Sequence, residues 1–125
     1  MIAGVGVDAV DLDRFARTLA RTPTLRERLF APAELRLRPP LRDEQLAARF
    51  AVKEALIKAL GGGVPGFRFR DVATLPGPHG APRLELAGAV SDHVHARGLR
   101  LHVSLTHDRP VAVAVVIAEK ADAPA

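Results

Sequence analysis

The chain has 125 residues, 48% of them hydrophobic, with no cysteine and a formal net charge of +4. This length favours one domain with its own core, and no apolar run approaches the roughly 20 residues of a membrane-spanning helix. The absence of cysteine excludes disulfides, thiolate metal sites and a cysteine nucleophile. Because the first residues lack the basic and long apolar regions of a signal peptide, we expect a cytoplasmic protein with no membrane partner.

The positive charge is concentrated between Arg14 and Arg42. This segment contains eight arginines (positions 14, 17, 21, 26, 28, 36, 38 and 42) and two acids, Glu27 and Glu34. Such a basic segment indicates an acidic partner, because complementary charge steers association.

The N-terminal part predicts a strand followed by a helix. Residues 2–8 have the pattern of a strand in which Gly4 and Gly6 permit close backbone approach. Asp11 is suited to cap a helix from Leu12 to about residue 21, whose apolar positions recur at helical spacing. These positions are Leu12, Phe15 and Leu19.

Three further helical segments are predicted before residue 62. Thr22 and Pro23 favour the start of a short helix that ends near residue 30, and a helical turn over 33–38 precedes two prolines. Asp43 is suited to cap a long helix that ends at Leu60, before three glycines. The apolar positions of this helix are Leu46, Phe50, Val52, Leu56, Ile57 and Leu60.

The second half predicts two hairpins and one helix. The segments are strands over 67–75 and 82–86 with a turn at 76–80, a helix over 87–96 ended by Gly98, and strands over 100–106 and 111–118. We therefore expect an α+β fold, with an antiparallel sheet packed on a long helix, in a single domain spanning residues 1–120. Residues 121–125 are predicted to be a disordered tail.

Two carboxylates occupy segments that should otherwise be buried. Asp8 closes the first strand and Glu54 lies inside the long helix, where an ionised group is costly unless it is paired or binds a metal. Mg²⁺ is usually held by one or two protein carboxylates together with water and substrate phosphates. Glu54 and Lys58 share one helix face, although this spacing is also that of a common solvated pair. The pattern predicts a Mg²⁺ site and phosphate chemistry.

Three motifs follow one another at compatible spacing: GVGVD at 4–8, RFAVKEALIKALG at 49–61 and VSLTH at 103–107. With Arg14 and Glu34 between them, they resemble the holo-acyl-carrier-protein synthase family, the small 4′-phosphopantetheinyl transferases. The resemblance extends over residues 4–118, and the middle motif is its most specific part. It implies the 4′-phosphopantetheinyl transferase fold and a homotrimer with active sites at subunit boundaries.

The resemblance also implies an activity: transfer of the 4′-phosphopantetheine of coenzyme A to a serine of apo acyl carrier protein, in fatty acid biosynthesis. Asp8 and Glu54 match the Mg²⁺ ligands, and Lys58 matches the lysine that reaches the pyrophosphate; these three form the expected catalytic set. The positions that match residues near the coenzyme are Arg49, Lys58, Gly61, Ser104 and His107.

Acyl carrier proteins are acidic and, in this family, dock through negatively charged helices, which suggests a role for the basic segment. The arginines expected to contact the carrier protein are Arg14, Arg17, Arg21, Arg26 and Arg28.

Several alternatives remain open at this level. The base that deprotonates the serine is either Glu54 or a metal-bound water, and Glu34 either lies near the active site or pairs locally. Polyketide and peptide-synthetase carriers are alternatives to a fatty-acid carrier. An inactive coenzyme-A-binding module and a nucleic-acid-binding domain are further alternatives. We expect no nucleic-acid partner, because five phenylalanines, with no tyrosine or tryptophan, offer little stacking surface.

Overall fold

The computed structural model describes residues 1–121. This range contains helices and antiparallel strands in separate runs, which confirms the predicted α+β class. The elements are β1 (Ile2–Asp11), α1 (Leu12–Arg21), α2 (Leu25–Leu29), α3 (Pro32–Leu35), α4 (Asp43–Ala59), β2 (Val72–Pro76), β3 (Pro82–Leu86), α5 (Gly88–Ala96), β4 (Leu99–Asp108) and β5 (Val111–Lys120).

The larger sheet has the strand order β1-β5-β4 and is antiparallel throughout. Its central strand β5 presents alternate residues to α4, and these residues are buried. They are Ala112, Ala114, Val116 and Ala118. The strands β2 and β3 form a separate two-stranded sheet. The predicted arrangement of a sheet packed on a long helix is therefore confirmed.

Two glycines of β1 allow α4 to lie directly on the sheet. A Cβ atom on Gly4 would be 1.9 Å from the carbonyl oxygen of Ala59, and one on Gly6 would be 1.8 Å from that of Ala55. No larger residue fits at this contact without a shift of the helix. The close approach brings Asp8 of β1 next to the C-terminal half of α4.

The opposite face of the larger sheet carries apolar side chains that remain accessible. Val5 is 59% exposed and Val7 is 54% exposed, both on β1. Their partners on β5, Ile117 and Val115, are only half-buried. No element within residues 1–121 covers this face, which we call the outer face.

The helix α4 is buried around most of its circumference. Leu46, Val52, Leu56 and Leu60 are buried as predicted, whereas Phe50 and Ile57 are only half-buried. Alanines fill the remaining contacts, because their small side chains permit close packing on the sheet. They are Ala47, Ala48, Ala51, Ala55 and Ala59.

The predicted starts of three helices were wrong by a few residues. The amide nitrogens of Leu25 and Arg26 donate to the carbonyl oxygens of Thr22 and Pro23, so a turn precedes α2. The helical turn predicted over 33–38 forms at Pro32–Leu35 instead. Asp43 is the first residue of α4 and not its cap. The amide nitrogen of Arg42 instead donates to the side chain of Gln45, at 2.9 Å.

The strand predicted over 67–75 begins only at Val72, and residues 69–71 form a short 3-10 turn. The carbonyl oxygens of Phe69 and Val72 accept hydrogen bonds from the buried ammonium of Lys53, which holds this turn and the start of β2 against α4.

Most of the other local predictions are confirmed, although β1 does not close at Asp8 and continues to Asp11. Asp11 caps α1, since its Oδ1 accepts from the amide nitrogen of Arg14 at 2.8 Å. Gly98 adopts a positive φ of 61° after α5. Both predicted hairpins form. None of the described helices is long and apolar enough to cross a bilayer. Of the predicted tail, everything beyond Ala121 lies outside the described residues.

Candidate active site

Asp8, Glu54 and Lys58 lie together where the end of β1 meets α4. The ammonium of Lys58 donates to Oδ1 of Asp8 at 3.2 Å and to the carbonyl oxygen of Val7 at 3.0 Å. The Lys58 side chain is 55% exposed and that of Asp8 is 20% exposed. The three groups therefore face a surface that solvent and a substrate reach.

The environment of Glu54 disfavours its charged form. Partial burial, followed by the negative charge of Asp8, raises the pKa of Glu54 above its ordinary value, and Lys58 partly opposes this. A cation between the two carboxylates would remove their repulsion. The site thus combines oxygen ligands with negative charge that Lys58 relieves only in part.

These carboxylates fit Mg²⁺ by the chemistry of their donor atoms. Mg²⁺ prefers oxygen ligands and commonly takes only one or two from the protein. Within residues 1–121, no group of three or more histidine, aspartate or glutamate side chains is placed to hold a metal ion. A cation at this position would take Asp8 and Glu54 as ligands and complete its coordination from water and substrate.

A groove of about 330 Å³ begins at this pair and runs between β1, α1, α2 and α4. We call it the acidic groove. Arg14 lies in its wall, and the other walls are largely apolar. The remaining side chains that shape it include Phe15, Thr18, Leu29 and Phe50.

A second pocket, of about 290 Å³, contains Arg49, Thr74 and His107. Nε of Arg49 donates to the carbonyl oxygen of Thr74 at 3.1 Å, which fixes the guanidinium against β2. Burial lowers the pKa of Arg49, and Glu34 opposes this effect. This pocket combines a fixed guanidinium with an exposed imidazole. These groups suit an anionic ligand.

The two pockets are separate within one chain. Asp8 is on β1 and His107 on β4, at opposite edges of the sheet, about 10 Å apart across the strands. Glu54 and Arg49 are five residues apart on α4, so their side chains diverge by about 140° around the helix axis. Within a single chain, the predicted metal ligands Asp8 and Glu54 therefore do not share a cleft with Arg49 and His107.

The other predicted coenzyme residues lie apart from Arg49 and His107. Ser104 pairs with Val115 and points to the outer face, because its neighbours Val103 and Leu105 contact the core. Gly61 follows α4 with a φ of 89°, less than one turn beyond Lys58. Gly61 is thus nearer to the acidic pair than to His107 in sequence and along the helix.

The predicted carrier contacts occupy α1 and α2. Arg14, Arg17 and Arg21 are exposed on α1, and Arg28 is exposed on α2. Arg26 differs, since its NH2 lies 3.3 Å from Oδ1 of Asp43 and part of its charge is already compensated.

Two residues near these pockets were not identified from the sequence. The hydroxyl oxygen of Thr74 is buried without a hydrogen-bond partner among the described residues, beside Arg49. Lys53 is fully buried and its ammonium lies 2.8 Å from Oε1 of Glu34. No sequence signal marks Thr74. Lys53 lies within the middle motif, but it was assigned no role.

Comparison with known proteins places these features in a family. The chain belongs to the 4′-phosphopantetheinyl transferase superfamily, whose family model matches residues 4–116. Over 125 residues it is 52% identical to a protein of Clavibacter michiganensis subsp. michiganensis named holo-[acyl-carrier-protein] synthase, with 99% of this chain and 100% of the relative covered. The resemblance seen in the sequence motifs is confirmed.

Solved structures agree in fold. The holo-[acyl-carrier-protein] synthase of Neisseria meningitidis superposes with a TM-score of 0.86 at 32% identity, covering 96% of this chain and 100% of that one. A Chronobacterium ammoniagenes synthase, solved as a coenzyme A complex, gives 0.82 at 31% identity, covering 95% of this chain and 98% of that one.

Proposed function

We propose that this protein is a holo-[acyl-carrier-protein] synthase. It transfers the 4′-phosphopantetheine of coenzyme A to a serine of apo acyl carrier protein and releases adenosine 3′,5′-bisphosphate. The observation that carries this proposal is the meeting of Asp8, Glu54 and Lys58 at the head of an open groove, in a chain of this family. We assign it to fatty acid biosynthesis in the cytoplasm.

The reaction forms a bond between the serine oxygen and the phosphorus that carries pantetheine, and it breaks the bond from that phosphorus to the leaving nucleotide. Such transfers depend mainly on positioning and charge neutralisation. Lys58 is exposed beside Asp8, where its ammonium would offset charge on the pyrophosphate and on the departing nucleotide. When bound, Mg²⁺ would be held by Asp8 and Glu54 and would add to this neutralisation.

The serine must lose its proton as it attacks. The carboxylate of Glu54, which lies in the acidic groove beside Asp8, is one candidate acceptor of this proton. A water in the acidic groove is the other candidate acceptor. Arg14, in the wall of the same groove, is placed to hold the approaching carrier protein.

Arg49 and His107 are assigned to the anionic nucleotide end of coenzyme A. Their pocket lies on the far side of α4 from the acidic pair. A complete cleft therefore requires a second copy of the chain, with the acidic pair from one subunit and Arg49 with His107 from its neighbour. The uncovered outer face supports this arrangement, since exposed apolar patches often mark interfaces. The proposed assembly is a homotrimer.

Shared sites have a direct test by complementation. Asp8→Asn and the double variant Arg49→Met/His107→Ala are each expected to lose most activity. Refolded together, they form mixed oligomers in which some sites combine intact halves, so activity returns. Inactive mixtures that are nevertheless oligomeric by light scattering would contradict shared sites. Refolded wild-type protein is the control for recovery.

The activity itself is tested by intact-mass spectrometry. Apo acyl carrier protein is incubated with coenzyme A, Mg²⁺ and the protein, with EDTA in a parallel reaction. A metal-dependent mass gain of one phosphopantetheine on the carrier is expected, and Glu54→Gln protein should give none. If folded wild-type protein binds coenzyme A but modifies no carrier, the transferase assignment fails.

A further inference from the structure

A second arginine cluster lies outside the acidic groove and outside the Arg49 pocket. Arg28 on α2 faces Arg68 and Arg70, which belong to the segment between α4 and β2. Together with Glu27 and Phe69 they line an open groove of about 410 Å³. We call it the arginine groove.

The charge of this groove is only partly compensated. Nε of Arg68 lies 3.5 Å from Oδ2 of Asp71, and Glu27 is the only acid in the lining. Within residues 1–121, no acidic side chain lies within 4.0 Å of the side-chain nitrogens of Arg28 or Arg70. All three arginines are exposed. The groove therefore presents net positive charge to solvent.

The segment that carries Arg68 and Arg70 is fixed to the helical core. The carbonyl oxygen of Phe69 accepts from the buried ammonium of Lys53 at 3.1 Å. The Phe69 ring stacks on Phe50 with 5.7 Å between centroids. The backbone that carries these arginines is therefore ordered before a partner binds, which lowers the conformational entropy lost on binding.

The arginine groove adjoins the acidic groove through an aromatic pair and through α2. Phe50 lines the acidic groove and stacks on Phe69, which lines the arginine groove. The helix α2 contributes Leu29 to one groove and Arg28 to the other. One ligand lying across α2 and this aromatic pair would thus reach both the acidic pair and the arginines.

The shape of the groove favours a macromolecule over a small anion. It is open, its arginines are exposed, and its apolar centre is the half-buried Phe69. A rigid acidic surface with an apolar centre, such as an amphipathic acidic helix, matches this pattern of charge around a ring.

We propose that the arginine groove is a second docking contact for the acidic carrier protein, and that Arg28, Arg68 and Arg70 help to select it. This inference rests on the proposed transferase function. The α1 arginines and the arginine groove lie on either side of the acidic groove, so a carrier bound to both would present its serine between them.

The test compares Arg70→Glu and the double variant Arg28→Glu/Arg70→Glu with Arg83→Glu. The control reverses the charge of Arg83, an exposed arginine of β3 that lies outside the acidic groove, the Arg49 pocket and the arginine groove. We measure KM for apo carrier protein, KM for coenzyme A and kcat at 50 and 300 mM salt. At low salt, KM for the carrier is expected to rise about fivefold for each reversed arginine, with kcat and KM for coenzyme A unchanged. The effect should shrink at high salt.

A charge-swapped carrier makes the assignment specific. Acidic residues on the docking helix of the carrier are replaced by lysine one at a time, and one such change should restore the carrier affinity of Arg70→Glu. Equal carrier KM for Arg70→Glu, the double variant and Arg83→Glu would overturn the inference while the transferase function stands. Displacement of the carrier from this groove by RNA at physiological salt would likewise overturn it. If wild-type protein transfers no phosphopantetheine, the proposed transferase function itself fails, which is distinct from failure of the arginine-groove inference.

Discussion

The ammonium of Lys58 lies 3.2 Å from Oδ1 of Asp8, although 50 residues separate them in the chain. This contact joins β1 to the last turn of α4 and places a cation at the rim of an acidic pair. The same lysine lowers the pKa of Glu54, against the raising effects of burial and Asp8. Lys58 therefore influences both carboxylates that are proposed to hold the metal.

Replacing Lys58 should impair catalysis more than folding. Lys58→Met is expected to lower kcat about 100-fold, because the charge that develops on the phosphates loses a fixed cation. The free energy of unfolding should change by less than about 1 kcal/mol, since this ion pair is half exposed. Carrier modification assays and urea denaturation measure the two effects. Lys58→Arg, which keeps the charge, is the matched variant, and full activity in Lys58→Met would refute the assigned role.

The carboxyl group of Glu54 should titrate at a higher pH than an ordinary glutamate in the metal-free protein. Side-chain carbonyl NMR of Glu54 measures its pKa directly. Asp8→Asn is expected to lower this pKa and Lys58→Met to raise it further, because these changes remove a repulsive and an attractive charge. Glu85→Gln, on the distant strand β3, serves as the control and should leave the titration unmoved.

The same shift has a consequence for stability. Because the pKa is raised on folding, the folded chain retains the proton to higher pH than the unfolded chain. Stability should therefore fall as pH rises from the unfolded to the folded pKa of Glu54, and Glu54→Gln should remove this component. The stability of wild type relative to Glu54→Gln should therefore decrease as pH rises. A decrease as pH falls would contradict this explanation.

Gly6 should tolerate no side chain. A Cβ there would lie 1.8 Å from the carbonyl oxygen and 2.8 Å from the carbonyl carbon of Ala55, so α4 would have to move. We expect Gly6→Ala to destabilise the protein by about 3 kcal/mol and to reduce activity by separating Asp8 from Glu54. Gly63→Ala is the matched control, because a Cβ there meets no described atom within 4 Å. Similar urea midpoints for both variants would show that the close contact between Gly6 and Ala55 does not determine stability.

The buried pair of Lys53 and Glu34 should be a larger determinant of stability than any surface pair. Their side chains have no exposed area, and the two oxygens of Glu34 also accept from the amide nitrogens of Ala31 and Thr74. Removing one partner leaves a buried charge uncompensated, so Lys53→Met should cost about 3–5 kcal/mol. Breaking the exposed pair by Arg83→Gln should cost less than about 1 kcal/mol.

A double-mutant cycle separates the ion pair from the packing around it. Lys53→Met combined with Glu34→Leu should be less destabilised than the sum of the single variants, because neither charge then remains alone in the core. Strict additivity in chemical denaturation would mean that the two groups do not interact in the folded state.

Local features were predictable where short-range chemistry decides them. The spacing of Leu12, Phe15 and Leu19 defined α1, and the Asp11 carboxylate capped it, because both effects act within about two helical turns. The two hairpins followed in the same way from alternating apolar residues and turn residues. These interactions involve neighbours in the chain, so the sequence alone contains them.

The candidate site was predictable in its membership but not in its arrangement. Resemblance to a family identified Glu54 and Lys58 in the motif at 49–61 and Asp8 in the motif at 4–8. Only the packing of β1 on α4 shows that Lys58 reaches Asp8. Ser104 was grouped with His107 by motif, yet alternation along β4 places it on the outer face. Which face α4 covers is a tertiary property.

The sequence by itself determined the helices, the hairpins, the family and the acidic residues, since each depends on local periodicity or on a contiguous motif. Tertiary structure decided the environment of Lys53, to which the sequence assigned no role and which is buried against Glu34. It also moved the start of the predicted strand 67–75 to Val72, after a short turn at 69–71 in which the carbonyl oxygen of Phe69 accepts from Lys53. A buried ammonium must find its acceptors across the core, and residues 16 to 19 positions apart in the chain supply them only once the chain has folded.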